Sequence, residues 1–435
     1  MDVISRIYRS KGGKKKIKEV PTHTIHYGYI YDGEELIDEV LVMIMHAPRT
    51  FTGEDTVEID CHGGVYAMQR VLDTVLKNGA EIAEPGEFTK RAFLNGRMDL
   101  SQAEAVMDLI DSKNEMARKN SMTQLKGGLS DKIKQLREEI IYQIAFIESA
   151  LDDPEHYSLD GFPEKLLEED KKWITIAKEM LDSYDNGRII AEGIRTCIVG
   201  KPNAGKSSFL NALLGEERAI VTDIAGTTRD TLEESVTIDG ITLNIVDTAG
   251  IRDTEDKVES IGVERAKKEI ESADLILFLM DTSVQISEED IEILQRIRDK
   301  KKIILLNKSD KATEESGFEQ SALKEYISEE TPVISISAKY GDGIDNFIME
   351  LKNMMFHGRI DVNQEVYITN ARHKDALAKT YESLECVERS IEAGMPEDFF
   401  TIDLMNAYEK LGLIIGESVE EDLVNEIFSK FCTGK

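Results

Sequence analysis

The chain contains no run of about 18 apolar residues, so nothing in it reads as a membrane-spanning helix. It also lacks the charged-then-apolar opening that marks a secretory leader, so secretion is not expected. Cysteine is scarce: Cys61, Cys197, Cys386 and Cys432 lie far apart and form no C-x-x-C pair. Neither a disulfide framework nor a structural zinc is therefore expected, and a reducing cytoplasmic setting fits. Aromatic residues make up only 6%, with a single tryptophan, Trp173. Positive charge is short as well, with 53 Lys and Arg against 84 Asp and Glu, a net charge of −31. That argues against a broad nucleic-acid-coating surface. The one basic run, Arg9 to Lys18, reads either as a solvated loop or as a local RNA contact.

What is present is enough for ordinary folded cores. The 435 residues are 41% hydrophobic, a length that predicts about two to four domains. Residues 1 to 97 mix turns with short strands: Tyr27 to Tyr31 alternates, Val40 to Met45 is apolar, and Thr56 to Cys61 runs into His62-Gly63-Gly64. A helix over Val65 to Leu76 follows. From Ser101 to Glu192 apolar residues recur at helical spacing, as at Ile133, Leu136, Ile140 and Ile144, with a break between Asp152 and Pro163. From Ile194 to Phe356 strands and helices alternate. Near-continuous apolar strands (Cys197–Val199, Leu243–Val246, Leu275–Met280, Ile303–Leu306, Val333–Ile336) predict a parallel sheet covered on both faces. After Gln364 the pattern is helical again. Two helical stretches that flank an α/β segment are expected to pack together around an insertion; a linear string of domains is the alternative.

The most informative stretch is Gly200-Lys201-Pro202-Asn203-Ala204-Gly205-Lys206-Ser207. It follows an apolar strand and opens a helix, the setting in which G-x-x-x-x-G-K-[ST] cradles phosphates. Glycines let the backbone wrap a phosphate at a helix N-terminus. Lys206 is expected to reach the outer phosphates, and the Ser207 hydroxyl to sit on Mg²⁺. Further motifs follow in order. Thr228, in Gly226-Thr227-Thr228-Arg229-Asp230, is the natural second Mg²⁺ hydroxyl. In Asp247-Thr248-Ala249-Gly250 the carboxylate can hold Mg²⁺ through water and the Gly250 N–H can face the γ-phosphate. In Asn307-Lys308-Ser309-Asp310 the Asp310 carboxylate can accept both guanine N1–H and N2–H₂, which adenine cannot match. Ser337-Ala338-Lys339 is expected to offer backbone N–H to guanine O6. Each motif is short, but each sits at the carboxyl end of a strand, where α/β sheets bind ligands. Together they resemble the GTPase domain of the Ras-like translation-factor superfamily, and GTP rather than ATP is the expected substrate.

Where Ras-type switches place a water-positioning Gln, this chain has Ile251, which cannot orient water. Another group must do so, and the acidic segment Ile251 to Ile261 holds candidates. Asn203 is either a monovalent-cation ligand standing in for an arginine finger or a simple loop amide.

Glu84-Pro85-Gly86-Glu87-Phe88-Thr89, Arg91-Ala92-Phe93-Leu94-Asn95-Gly96-Arg97-Met98-Asp99-Leu100, Gln102-Ala103-Glu104-Ala105, Ile261-Gly262-Val263-Glu264-Arg265 and the terminal Phe431-Cys432-Thr433-Gly434-Lys435 resemble the MnmE (TrmE) family of tRNA-modification GTPases. The resemblance runs from about residue 20 to the last residue. It implies a multidomain chain: an α/β folate-binding-like domain at 1–97, an all-α helical domain at 98–193 and 358–435, and an inserted Ras-like P-loop α/β GTPase domain at 194–357. It implies a GTPase acting in C5 modification of wobble uridine-34 in tRNA, producing an aminomethyl or carboxymethylaminomethyl group. The implied partners are an FAD-dependent MnmG (GidA)-type protein and a second copy of the chain, a homodimer that forms a heterotetramer with that protein. The one-carbon unit comes from 5-formyl-tetrahydrofolate or another one-carbon tetrahydrofolate.

By the same resemblance, the GTP site includes Asn203, Ala204, Gly205, Lys206, Ser207, Ser208, Thr222, Asp223, Ile224, Ala225, Gly226, Thr227, Thr228, Asp247, Thr248, Ala249 and Gly250. Asn203, Thr222, Ile224 and Thr227 surround K⁺, Ser207 and Thr228 bind Mg²⁺, and Glu259 orients water. Glu58, Arg97 and Lys435 match folate contacts. Cys432 acts as a thiolate in the one-carbon chemistry or packs the tail into its pocket. Cys61 and His62 read as a dyad or as a strand end before the Gly63-Gly64 turn. Arg372-His373 also matches the family, as a phosphate contact or a helix cap. One feature departs from the family. A Gly-rich segment of the form P-G-x-G-G-x-G-I-x-R-I-S-G, carrying an arginine contact to folate, does not occur here, and the sequence opens at Met1-Asp2-Val3, where the family is already in its first helix. A truncated first domain, short of one strand and weaker in folate binding and dimerisation, is the expectation. The competing reading of the whole chain is a GTPase switch in ribosome assembly, or a truncated form that hydrolyses GTP without modifying tRNA.

Overall fold

The computed structural model describes residues 1–12, 16–215, 219–222, 233–247, 269–312, 317–356, 366–417, 421–429 and 431. The chain forms two compact units. One comprises Met1–Met107, Gln124–Trp173 and Lys379–Lys435; the other comprises Asp108–Thr123 and Ile174–Ala378.

The first unit begins with an antiparallel sheet in the order β1 (Tyr8–Ser10), β2 (Thr24–Asp32), β3 (Glu35–Met45), β4 (Thr56–Asp60). Alternation along the strands sends Ile30, Val40, Val42 and Ile44 to one face, where they are buried with Ile4 and Ile7 of the helix Asp2–Ile7 and pack against Val75 of the helix Val65–Lys77. The helix Gly128–Asp152 buries Ile133, Leu136, Ile140 and Ile144, the stripe that the sequence spacing predicts. It packs on the helix Glu397–Ile415, which presents Phe400, Leu404, Ala407 and Leu411. Segments from before and after the α/β stretch thus build one helical layer. Each buried Ile, Leu or Phe side chain of that layer contributes about 1.5–3 kcal/mol. Arg137 crosses that layer, its guanidinium 4.0 Å over the Tyr408 ring and paired with Glu417. Trp173 is buried and donates from Nε1 to Glu139 Oε2 at 2.8 Å.

The second unit holds a seven-stranded sheet among the described residues. Its strands are β5 (Ile194–Val199), β6 (Ala219–Thr222), β7 (Glu233–Ile238), β8 (Ile241–Asp247), β9 (Leu275–Asp281), β10 (Lys302–Asn307) and β11 (Val333–Ser335). The order is β11-β10-β9-β5-β8-β7-β6. The first five are parallel. Leu275, Leu277 and Leu279 of β9 face Phe209 and Leu213 of the helix Lys206–Gly215 and Phe347 of the helix Ile344–Phe356, while Ile276, Phe278 and Met280 face Leu294 of the helix Glu288–Arg296. Double-sided burial explains the continuous apolar runs.

The five apolar runs expected to form a parallel sheet do so, and one edge adds two strands that the sequence did not announce, β7 being antiparallel to both β8 and β6. The cause is local. Asp239 and Gly240 take positive φ of 51° and 87°, the two-residue turn that reverses a strand with matching twist. Ser235 and Thr237 alternate with Val236 and Ile238 on β7, the strand that enters the turn.

The residues 98–193, expected as one helical part, divide between the units. Asn114 caps the helix Glu115–Leu125 by accepting from Ala117 N at 2.8 Å, and its Nδ2 donates to Ile190 O at 3.0 Å and Thr242 Oγ1 at 3.1 Å. Asn120 exchanges two hydrogen bonds with the Tyr367 backbone. These buried amides join 108–123 to the β8 hairpin and to 366–369.

Candidate nucleotide site

The parallel strands β5, β8, β9, β10 and β11 all end at one edge of the sheet. β5 gives way to the loop Gly200–Gly205, and the helix Lys206–Gly215 begins directly after it. Gly205 has φ of 98°, and a Cβ there would meet Asn307 Nδ2 at 2.2 Å. The loop can thus pass against β10 only with glycine at this position. Asn203 adopts φ of 63°, a conformation that its short amide tolerates, and its side chain is exposed. Ser207 is likewise exposed in the first turn of the helix. Lys206 Nζ donates to Gly200 O at 2.5 Å and Lys201 O at 3.1 Å, which holds its ammonium within the loop it is expected to serve.

Register puts Asp247 opposite Ile198, at the carboxyl end of β8 and beside the phosphate loop. Thr222 ends β6, paired with Ser235. Asp223, Ile224, Ala225, Gly226, Thr227, Thr228, Thr248, Ala249, Gly250, Glu259, Cys432 and Lys435 lie outside the described residues.

The motifs expected to read the base lie at the ends of β10 and β11. Asn307 is buried, and it does not present its amide outward. Its Nδ2 donates to Ala204 O at 2.8 Å and its Oδ1 accepts from Ala338 N at 3.0 Å. One side chain thereby ties the phosphate loop to the Ser337-Ala338-Lys339 loop. Asp310 is exposed, with Oδ1 accepting from Ser337 Oγ at 2.8 Å. Ser337 therefore acts on the carboxylate that is expected to read guanine. Ser337 N donates to Asp342 O, and Ala338 N is taken by Asn307, so of this loop's amides Lys339 N is the one left for a base carbonyl among the described hydrogen bonds. The Lys339 ammonium donates to Tyr340 Oη at 2.9 Å, a bond that raises its pKa.

One strand end, that of β9, carries none of the motifs named from the sequence. Asp281 closes β9 and accepts from Lys308 Nζ at 2.5 Å. Burial acts to raise its carboxyl, but hydrogen bonds from Lys308 and Ser283 outweigh that and hold it below the usual range. Thr282 Oγ1 donates to Asn307 O at 2.9 Å. The signal was available, since Asp281-Thr282-Ser283 follows an apolar strand as the recognised motifs do.

The residues matched to folate contacts lie in the first unit. Glu58 is an exposed residue of β4, opposite Met43. Arg97 is exposed, and its Nε donates to Thr50 O at 2.9 Å. No hydrogen bond or ion pair joins them among the described residues. His62 pairs with Asp38 at 2.7 Å rather than with Cys61, which favours the strand-end reading of Cys61. Arg372 donates from Nη2 toward His373 Nε2 at 2.9 Å near the start of the helix Ala371–Glu392.

Two family models cover nearly the whole chain. The GTP-binding protein TrmE N-terminus matches residues 2–97, and the MnmE helical domain matches residues 100–432. The tRNA modification GTPase MnmE of Lachnoclostridium phytofermentans is 56% identical over 433 residues, covering 100% of this chain and 93% of that protein. Its namesake from Clostridioides difficile is 48% identical over 439 residues, covering 100% and 94%. Among solved structures, Aquifex aeolicus Era bound to GDP and AlF4⁻ is similar over 44% of this chain and 66% of that one, at 28% identity and a TM-score of 0.30.

Proposed function

Because the chain belongs to the MnmE family of tRNA modification GTPases, we propose that its GTP hydrolysis drives C5 modification of wobble uridine-34, with an FAD-dependent MnmG-type partner and a one-carbon tetrahydrofolate. The observation that carries the reading is the single sheet edge on which the phosphate loop, Asp247 and Asp310 converge.

In this reading the loop amides after Gly200 bind the phosphates, and Lys206 leaves the Gly200 and Lys201 carbonyls to neutralise their outer oxygens. Asp310, steadied by Ser337, accepts from the guanine edge, and Lys339 N meets its carbonyl. Ser207 and Thr228 would hold Mg²⁺, with the Asp247 carboxylate reaching it through water, and the ion would neutralise phosphate charge. Ser207 suits that role, as its hydroxyl is exposed at the helix start. Asn203, whose exposed amide makes no hydrogen bond among the described residues, joins Thr222, Ile224 and Thr227 around K⁺. Glu259 orients the attacking water that Ile251 cannot. Glu58, Arg97 and Lys435 hold the folate, both described side chains being exposed to receive one. Cys432 serves the one-carbon step. The chain works in the cytoplasm as a homodimer.

The test is the nucleoside composition of tRNA from a strain lacking the gene. Loss of the C5 group at the wobble uridine, restored by the wild-type gene and not by Glu259→Ala, is expected. Wobble uridines unchanged by the deletion contradict the proposal.

A further inference from the structure

The phosphate loop is anchored from outside the nucleotide site. Lys201 Nζ lies 2.6 Å from Asp290 Oδ2 and donates to Ser287 Oγ at 3.1 Å. Ser287 is the N-cap of the helix Glu288–Arg296, and Asp290 completes a capping box with it. Asp290 Oδ2 accepts from Ser287 N at 2.9 Å and from Ser287 Oγ at 3.0 Å. The two charged side chains are 17% and 3% exposed. Asp290 Oδ1 is buried and has no hydrogen-bond partner among the described residues.

A capping box is complete without a lysine. A buried carboxylate with one oxygen unpaired costs stability, and apolar residues of similar volume commonly serve a fold as well or better. Stability therefore does not account for this pair, whereas position does. The Lys201 carbonyl accepts from Lys206 Nζ at 3.1 Å and from Ala204 N at 3.2 Å. One residue thus links the helix Glu288–Arg296, by its side chain, to the ammonium and the loop turn that meet the phosphates, by its backbone. We propose that Lys201 is a positioning residue for the nucleotide. Clamped by Asp290 and Ser287, it holds the first turn of the phosphate loop where Lys206 and the loop amides engage the phosphates. This rests on the chain binding GTP. Because the clamp acts on the phosphate cradle, it governs GTP and GDP alike, and it sets affinity and release rather than the hydrolytic step.

The experiment measures nucleotide release and steady-state hydrolysis with the full-length chain, using fluorescent GDP and GTP and Mg²⁺. Lys201→Met is expected to speed release of both nucleotides and to raise KM by about 10-fold to 10²-fold, with the loss confined largely to KM. Lys201→Arg is expected to recover most of it. Lys201→Met leaves Asp290 buried and unpaired, which can unfold the chain, so the double variant Lys201→Met/Asp290→Asn decides. It is expected to melt near the wild-type temperature while still releasing nucleotide fast. A double variant that regains both melting temperature and KM makes the pair merely structural and overturns the proposal, as does an unchanged KM in a folded Lys201→Met. Wild-type protein that binds neither nucleotide would instead refute the GTP reading.

Discussion

Asp310 is held in position by a neighbour, since Ser337 Oγ donates to it at 2.8 Å across the ends of two strands. A fixed carboxylate that accepts from guanine rejects a base lacking those donors far more strongly than a methylene contact can discriminate. Asp310→Asn replaces an acceptor with an amide that also donates, a match for the added carbonyl of xanthine. Selectivity for GTP over XTP is expected to fall by about 10²-fold or more, read from competitive binding of the two nucleotides; retained preference for GTP places base recognition elsewhere. At this scale the sequence was legible in placement, since Lys206 and Ser207 open the helix after the loop and Asp310 lies just past the end of β10, where their motifs put them. It was opaque where a residue's role is set by what lies across the fold. Asn307 is the clearest case: the motif marks it as a binding residue, but its two bonds, to Ala204 O and from Ala338 N, are spent joining loops more than 30 residues apart in sequence on either side. The side-chain roles of Lys201 and Asp290 were invisible for the same reason.

The elements followed their periodicity. The five parallel strands fell where apolar runs predicted them, because burial on both faces leaves no polar positions to obscure the signal. The hairpin β7–β8 was missed although Asp239-Gly240 is a strong turn signal, because Ser235 and Thr237 dilute the apolar pattern of its first strand. Periodicity likewise said nothing of Asp170, which lies in the helix Phe162–Glu192 and is fully buried, with neither carboxylate oxygen hydrogen-bonded among the described residues. Burial pushes its carboxyl up to about 8, Glu388 pushes further in the same direction, and Lys171 opposes. The folded state therefore keeps a proton that the unfolded chain releases near its ordinary value. Stability is full below about pH 4 and is lost progressively as pH rises to about 8. Asp170→Asn, a neutral substitute of similar shape, removes that loss. Its melting temperature at pH 9 is expected to exceed the wild type's by about 2–4 °C, with no advantage at pH 4. Parallel melting-temperature profiles for the two proteins across that range contradict the assignment.

Over the whole molecule, the two helical stretches on either side of the α/β segment share one layer, so the GTPase part is an insertion between residues that pack together. Sequence order alone left a linear arrangement open, because only the contact between the helices Gly128–Asp152 and Glu397–Ile415 separates the two. The family match along the full chain joins these parts into one enzyme. Their common premise is a sheet edge that holds and hydrolyses a guanine nucleotide. Single-turnover hydrolysis of GTP and of ATP by the full-length chain, side by side with Mg²⁺ and KCl, tests that premise most directly. The account predicts that GTP is consumed and ATP is not; equal consumption of both, or of neither, contradicts it.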